Sequence, residues 1–235
     1  LGSCNSQTHR KNSFSDQLFS DSDYLNILIG YETKALPYPD YQDTSAWVFV
    51  QESLSKLLSS KSISVNTYSN PSEMTSFGWI TERNYSNKDI LNLAKRIKIK
   101  KGNSPTIKVV FLNGYYKKDG KIFPDVLGLN INNTPIVAIF KPVIKKASKD
   151  LSIQALVEQH TITHEIGHAI GLVNNNVAQQ TLHLENKNGA HCTNSNCVMH
   201  WENNDNRAIN LLSSKSSSVD YNLFGNCCML DVKEK

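Results

Sequence analysis

The 235-residue sequence predicts an α/β (α+β) fold: a mixed, twisted sheet with packed helices, followed by a small irregular C-terminal subdomain. Three observations predict it. Apolar, β-prone runs alternate with stretches of helical periodicity through the first 140 residues. One long amphipathic helix then runs from Asp150 to Gly171. Beyond Asn174 the chain turns polar and irregular, and four of its five cysteines fall in the last 44 residues. The organisation expected is a polar tether over 1–22, an N-terminal subdomain over 23–173, and a C-terminal subdomain over 174–235.

Residues 24–33 form the first buried strand by apolar content and β-propensity. Residues 35–40 contain two prolines and read as a loop. From Thr44 to Ser60 the residues Trp47, Val48, Val50, Leu54, Leu57 and Leu58 recur at helical spacing, with Asp43 or Thr44 as cap. Residues 63–68 alternate as a second strand. Ser86 opens a second helix, with Ile90, Leu91, Leu93, Ala94 and Ile97 on its apolar side. Residues 106–113 give a third strand. A turn-rich stretch passes Gly114 and Gly120, and strands follow at 126–131 and 136–140, joined by a turn at 132–135. Asp150 caps the long helix and Gly171 stops it.

Composition excludes several classes. A hydrophobic share of 39% and a charged share of 20% suit a folded, water-soluble domain. No segment approaches the roughly 18 apolar residues that span a bilayer. The net charge of +4 is modest, and the basic run from Lys95 to Lys101 alternates with apolar residues at a helix end, which reads as a solvated face. No nucleic-acid partner is expected.

The long helix carries His164-Glu165-Ile166-Gly167-His168, then Gly171. Histidines four apart lie one turn apart on one helix face, so both imidazoles reach a single ion. Glu165 beside them is placed to accept a proton from water activated by that ion. His160 continues the same face, but eight residues span about 12 Å, too far for one ion to bridge 160 and 168. It reads as a packing residue, Glu158 as a solvated charge, Glu185 as an exposed loop carboxylate, and His200 and His9 as residues without a ligand role.

A catalytic zinc takes three protein ligands and leaves one position open. The string from His164 to Gly171 resembles the start of the metzincin motif HExxHxxGxxH, in which the chain turns at the glycine and a third histidine follows. Here the eleventh position is Asn174, a poor zinc ligand beside imidazole. Downstream, His191-Cys192, Cys197 and Met199 are similar to the archaemetzincin continuation HC-x4-C-x-M, displaced by an insertion over 173–190. The same segment resembles metalloproteases of bacterial lipoprotein type. The resemblance implies a metzincin-like (zincin) fold and a zinc metallopeptidase acting on proteins or peptides. It implies His164, His168 and His191 as metal ligands, Glu165 as general base and Met199 in a Met-turn. His183, inside the insertion, and Asn174 stay open as alternative third ligands. Residues 137–140 are expected to form the edge strand that holds an extended substrate.

The cysteines permit two readings. Outside the cytoplasm, Cys192 and Cys197 are expected to form disulfides with Cys227 and Cys228, since bridging adjacent cysteines strains the geometry. In a reducing compartment, four clustered thiols point to a structural metal instead. Archaemetzincins close with CxxC and hold a second, structural zinc; the adjacency of Cys227 and Cys228 argues against one here, leaving a single catalytic Zn2+. Leu1-Gly2-Ser3-Cys4 resembles the end of a bacterial lipoprotein signal, which implies a lipidated Cys4, membrane attachment, and an extracytoplasmic, lipid-anchored or secreted protein. The competing functional expectation is a surface-anchored binding lipoprotein with a structural or degenerate zinc site.

Overall fold

The computed structural model describes residues 13–39, 47–81, 84–99, 104–131, 134–173, 177–185, 187, 189–201 and 223–235. Strand β1 (Tyr24–Glu32) forms the axis of the main sheet. On one edge it pairs in parallel with β2 (Ser64–Asn66) and β3 (Thr75–Gly78), and on the other with β5 (Thr106–Leu112). Strand β9 (Ile136–Phe140) continues in parallel beside β5, and β8 (Gly128–Asn130) closes the sheet as an antiparallel edge. A smaller sheet joins β4 (Asn84–Tyr85), β6 (Tyr115–Lys118) and β7 (Lys121–Phe123).

Parallel strands need crossovers that cover both faces, and β5 shows the division. Successive side chains point to opposite sides. Phe111 packs against Trp47 at the head of α2 (Val48–Leu58), while Lys108 donates to the Ala94 carbonyl of α3 (Asn87–Arg96) at 3.0 Å. On the α2 side lies α5 (Leu151–Ile170), which packs against β8, β9, α2 and α4 (Lys141–Ala147). Ile162, Ile166 and Ile170 are wholly buried there, each contributing about 1.5–3 kcal/mol. The mixed sheet and its helices match the fold class the sequence predicts.

Several elements differ from the sequence reading. The end of the expected tether is helix α1 (Phe14–Asp21), capped reciprocally by Ser13 and Asp16 and anchored by fully buried Leu18. The C-terminal segment ends in helix α6 (Asn226–Glu234), which packs against α2. Residues 137–140 do not form an edge: β9 lies between β5 and β8, and β8 is the outermost strand on that side among the described residues. Glu158 is not a solvated charge. It is fully buried in an ion pair with Lys141 and accepts the Tyr38 N–H at 2.7 Å. The Lys141 ammonium also sits 3.3 Å from the centre of the Tyr38 ring. Helical periodicity cannot distinguish such a pair from surface charges, because its partner comes from the helix before. The expected caps Asp43 and Thr44, and residues 132 and 133 of the turn at 132–135, lie outside the described residues.

Candidate metal centres

Helix α5 is fixed at both ends. Asp150 accepts the N–H of Ser152 at 2.7 Å and of Ile153 at 3.4 Å. Gly171 adopts φ +105°, where a side chain would strain the backbone. The N–H groups of Gly171 and Leu172 close on the carbonyls of His168 and Gly167 at 3.1 and 3.0 Å. The chain therefore leaves the helix abruptly, one turn beyond His168.

The Nε2 atoms of His164 and His168 lie 3.1 Å apart. Two nitrogens at about 2.0–2.1 Å from a tetrahedral ion are separated by about 3.3–3.4 Å, so the pair fits a shared ion closely. His191 completes a triangle. Its ring centre is 5.3 Å from each of the other two, and the three ligand nitrogens lie within 4.8 Å of one another. His164 Nδ1 lies 2.6 Å from the Val198 carbonyl, which can only accept. Nδ1 therefore carries the proton, and Nε2 keeps its lone pair towards the common point. Burial, reinforced by His168, holds His164 well below its ordinary 6.5; burial and then His191 lower His168 to about 3. Both rings are neutral at physiological pH, the state a metal requires.

Glu165 is 3% exposed and takes the backbone N–H of Asn130, on edge strand β8, into its carboxylate. Burial pushes its carboxyl up to about 8, against the lowering effect of Asn130. Such a group exchanges a proton near neutral pH. Met199 is fully buried beneath the helix. A Cβ on Gly167 would lie 2.3 Å from its sulfur, so the helix must carry glycine there for the methionine to approach.

His183, the alternative third ligand, lies elsewhere. It joins Cys192 and Cys228 in a second group whose ligand atoms lie within 4.8 Å of one another. His183 Nδ1 is 3.4 Å from Cys192 Sγ, and Cys197 Sγ is 3.7 Å from Cys228 Sγ. Tetrahedral thiolates at about 2.3 Å from zinc are separated by about 3.8 Å, and a mixed nitrogen–sulfur pair by about 3.6 Å. The expected disulfides are absent: Cys192, Cys197, Cys227 and Cys228 are free thiols. The adjacency of Cys227 and Cys228 does not argue against a second metal, because the group does not need both. Only Cys228 turns inward, since adjacent helical residues diverge by about 100°; His183 joins it there. Thiol contacts from Cys197 and Cys228 hold Cys192 well below the usual thiol range, while Cys192, reinforced by burial, pushes Cys197 up to about 11 against the lowering effect of Cys228. One thiolate is thus already favoured.

The structure brings His164, Glu165, His168, His191 and Met199 together. His160 and His200 are buried outside the three-histidine group. Glu185 is half-buried and accepts the Lys187 N–H at 3.1 Å. Cys4, His9 and Asn174 lie outside the described residues. Sequence reasoning missed Gly167, Asn130 and Asp231. Only Gly167 carried a signal, as a glycine inside an otherwise strong helix pattern.

A mixed sheet with a two-histidine helix beneath its antiparallel edge defines the zincin class of fold. The chain shares its fold with the archaemetzincin of Methanopyrus kandleri, whose 1.5 Å crystal structure superposes with a TM-score of 0.54 at 14% identity, covering 90% of this chain and 95% of that one. A zinc-dependent peptidase from Methanocorpusculum labreanum aligns at a TM-score of 0.48 and 16% identity, over 88% of this chain and 99% of that one. No protein-family model and no curated protein matches the sequence.

Proposed function

We propose that the chain is a zinc-dependent metallopeptidase, with His164, His168 and His191 as ligands and Glu165 as general base. The observation that carries this reading is the conjunction of three converging imidazoles with a buried carboxyl poised near neutral pH. A purely structural site has no use for such a carboxyl.

When bound, the zinc supplies a Lewis acid that polarises a carbonyl and lowers the pKa of water towards 7. Glu165 accepts the proton of the attacking water and delivers it to the leaving amine. The Asn130 N–H keeps the carboxylate oriented and stabilises its charged form. Strand β8 holds the substrate. Leu127 accepts from Phe140 and Ile131 donates to Ile136, both at 2.9 Å, so the 127, 129 and 131 backbone groups face β9. The Gly128 groups and the Asn130 carbonyl therefore face outward beside the Asn130 N–H that holds Glu165, and an extended peptide adds to them as a further strand. The second group, His183 with Cys192 and Cys228 and with Cys197 beside Cys228, would hold a structural zinc, since soft thiolates and an imidazole suit that ion.

Changing Glu165 to Ala should abolish cleavage of a peptide library while the zinc content stays the same. Changing His191 to Ala should remove one zinc. A wild-type protein carrying zinc on the three histidines that cleaves no peptide or protein would overturn the peptidase reading in favour of a binding protein.

A further inference from the structure

His191 and Cys192 are neighbours in the chain, yet they serve different clusters. The cause is local. Leu184 and Cys192 form an antiparallel bridge, flanked by Glu185 N–H to the His191 carbonyl at 2.7 Å and Thr193 N–H to the His183 carbonyl at 2.8 Å. In such extended backbone, consecutive side chains point to opposite sides. One short bridge therefore presents His191 to the three-histidine site and Cys192 to the cysteine cluster. A slip of one residue would exchange them. The Cys192 N–H also donates to the Met199 carbonyl at 2.7 Å, which ties the same bridge to the floor beneath α5.

What pins the bridge is the second cluster. His183 reaches Cys192 on one side, and on the other its Nε2 lies 2.8 Å from Asp231 Oδ2. Asp231 is fully buried on α6, three residues beyond Cys228, and its other oxygen accepts the Gln180 N–H at 2.7 Å. A carboxylate behind a histidine fixes the ring's tautomer, here leaving Nδ1 free to face the cluster. Asp231 and Cys228 thus face the segment that carries His183 from one helix, while Cys192 meets it from the other strand of the bridge.

We infer that the two centres are coupled through this bridge. An ion in the cysteine cluster holds His191 against His164 and His168 and raises that site's affinity for its own ion. Asp231 is the positioning residue of the cluster. The inference rests on the reading of both groups as metal sites. It also accounts for the insertion over 173–190, which supplies a ligand that sets the register of the third histidine.

The test uses the metal-free full chain titrated with cobalt(II). Thiolate-to-cobalt charge-transfer absorption reports the cysteine cluster alone, and equilibrium dialysis counts all ions bound. Asp231→Asn should weaken the cluster about 10–100-fold. It should weaken the three-histidine site about 5-fold or more, although no ligand of that site is changed. Linkage is reciprocal, so His168→Ala, a change remote from the cysteines, should weaken the cluster by about 5-fold or more relative to wild type. Cluster affinity in His168→Ala within about 2-fold of wild type would overturn the coupling. So would a wild type whose bound cobalt shows no thiolate absorption. A wild type that fills the cluster but never takes up a second ion would instead overturn the three-histidine reading.

Discussion

Burying the proposed base has a cost that can be measured apart from catalysis. In the metal-free protein the Glu165 carboxyl titrates at about 8 against an ordinary 4.5, because burial disfavours its charged form. A carboxyl whose pKa is raised on folding leaves stability intact below the unfolded value and removes it as pH climbs to the folded one. The protein should therefore lose stability between pH 4.5 and 8, at a limiting rate of about 1.4 kcal/mol per pH unit. That interval sets a ceiling of about 5 kcal/mol, fully expressed above pH 8. Glu165→Gln removes the titration and keeps the shape, and the amide oxygen can still accept the Asn130 N–H. Metal-stripped variant and wild type should be about equally stable near pH 4.5. The variant should be more stable by about 3 kcal/mol at pH 7 and about 5 kcal/mol at most at pH 8.5. Urea unfolding of both stripped proteins from pH 4.5 to 9 measures this, and the cysteine cluster, common to both, drops out of the difference. Zinc on the three histidines should shrink the gap by stabilising the carboxylate. A difference that stays below about 1 kcal/mol and flat with pH would refute the desolvated base, because a solvated carboxylate has no such dependence.

Other expectations concern the surrounding framework. Lys141→Met leaves Glu158 charged and wholly buried, and should cost about 3–5 kcal/mol in urea unfolding; Lys141→Met with Glu158→Leu should recover most of that, less about 1–2 kcal/mol for the orphaned Tyr38 N–H. Gly167→Ala forces a methyl group into the Met199 sulfur and should cost about 1–3 kcal/mol, with a double-mutant cycle against Met199→Ala showing relief of about 1 kcal/mol or more. Cys228→Ser should remove one zinc by elemental analysis, whereas Cys227→Ser, altering a thiol outside the cluster, should leave the zinc count unchanged.

Legibility in the sequence followed the range of the interactions concerned. Helix α5, its Asp150 and Gly171 ends and the two histidines on one face are properties of a single contiguous segment, and periodicity and capping express them directly. The parallel strands were legible for the same reason: β1, β5 and β9 are apolar runs largely buried on both faces. What escaped depends on pairing between distant segments. The small sheet of β4, β6 and β7 comes from short, polar strands, and β4 finds its partner about 30 residues away. Residues 137–140 looked like an edge because only the neighbouring strand β8 decides which of the two is outermost. The cysteine cluster is the sharpest instance. His183, Cys192 and Cys228, with Cys197 against Cys228, meet only because α6 returns to the segment that carries His183, where buried Asp231 holds that histidine from behind. Cysteine spacing alone would look for its fourth ligand at the thiol next door. Helix geometry excludes that, since one helix cannot point two consecutive side chains at the same ion. The same rule explains why the third histidine had to come from outside α5. The next helical position on that face would be a turn beyond His168, where Gly171 has already taken the chain away, so the imidazole that meets His164 and His168 is that of His191, carried next to the Leu184–Cys192 bridge.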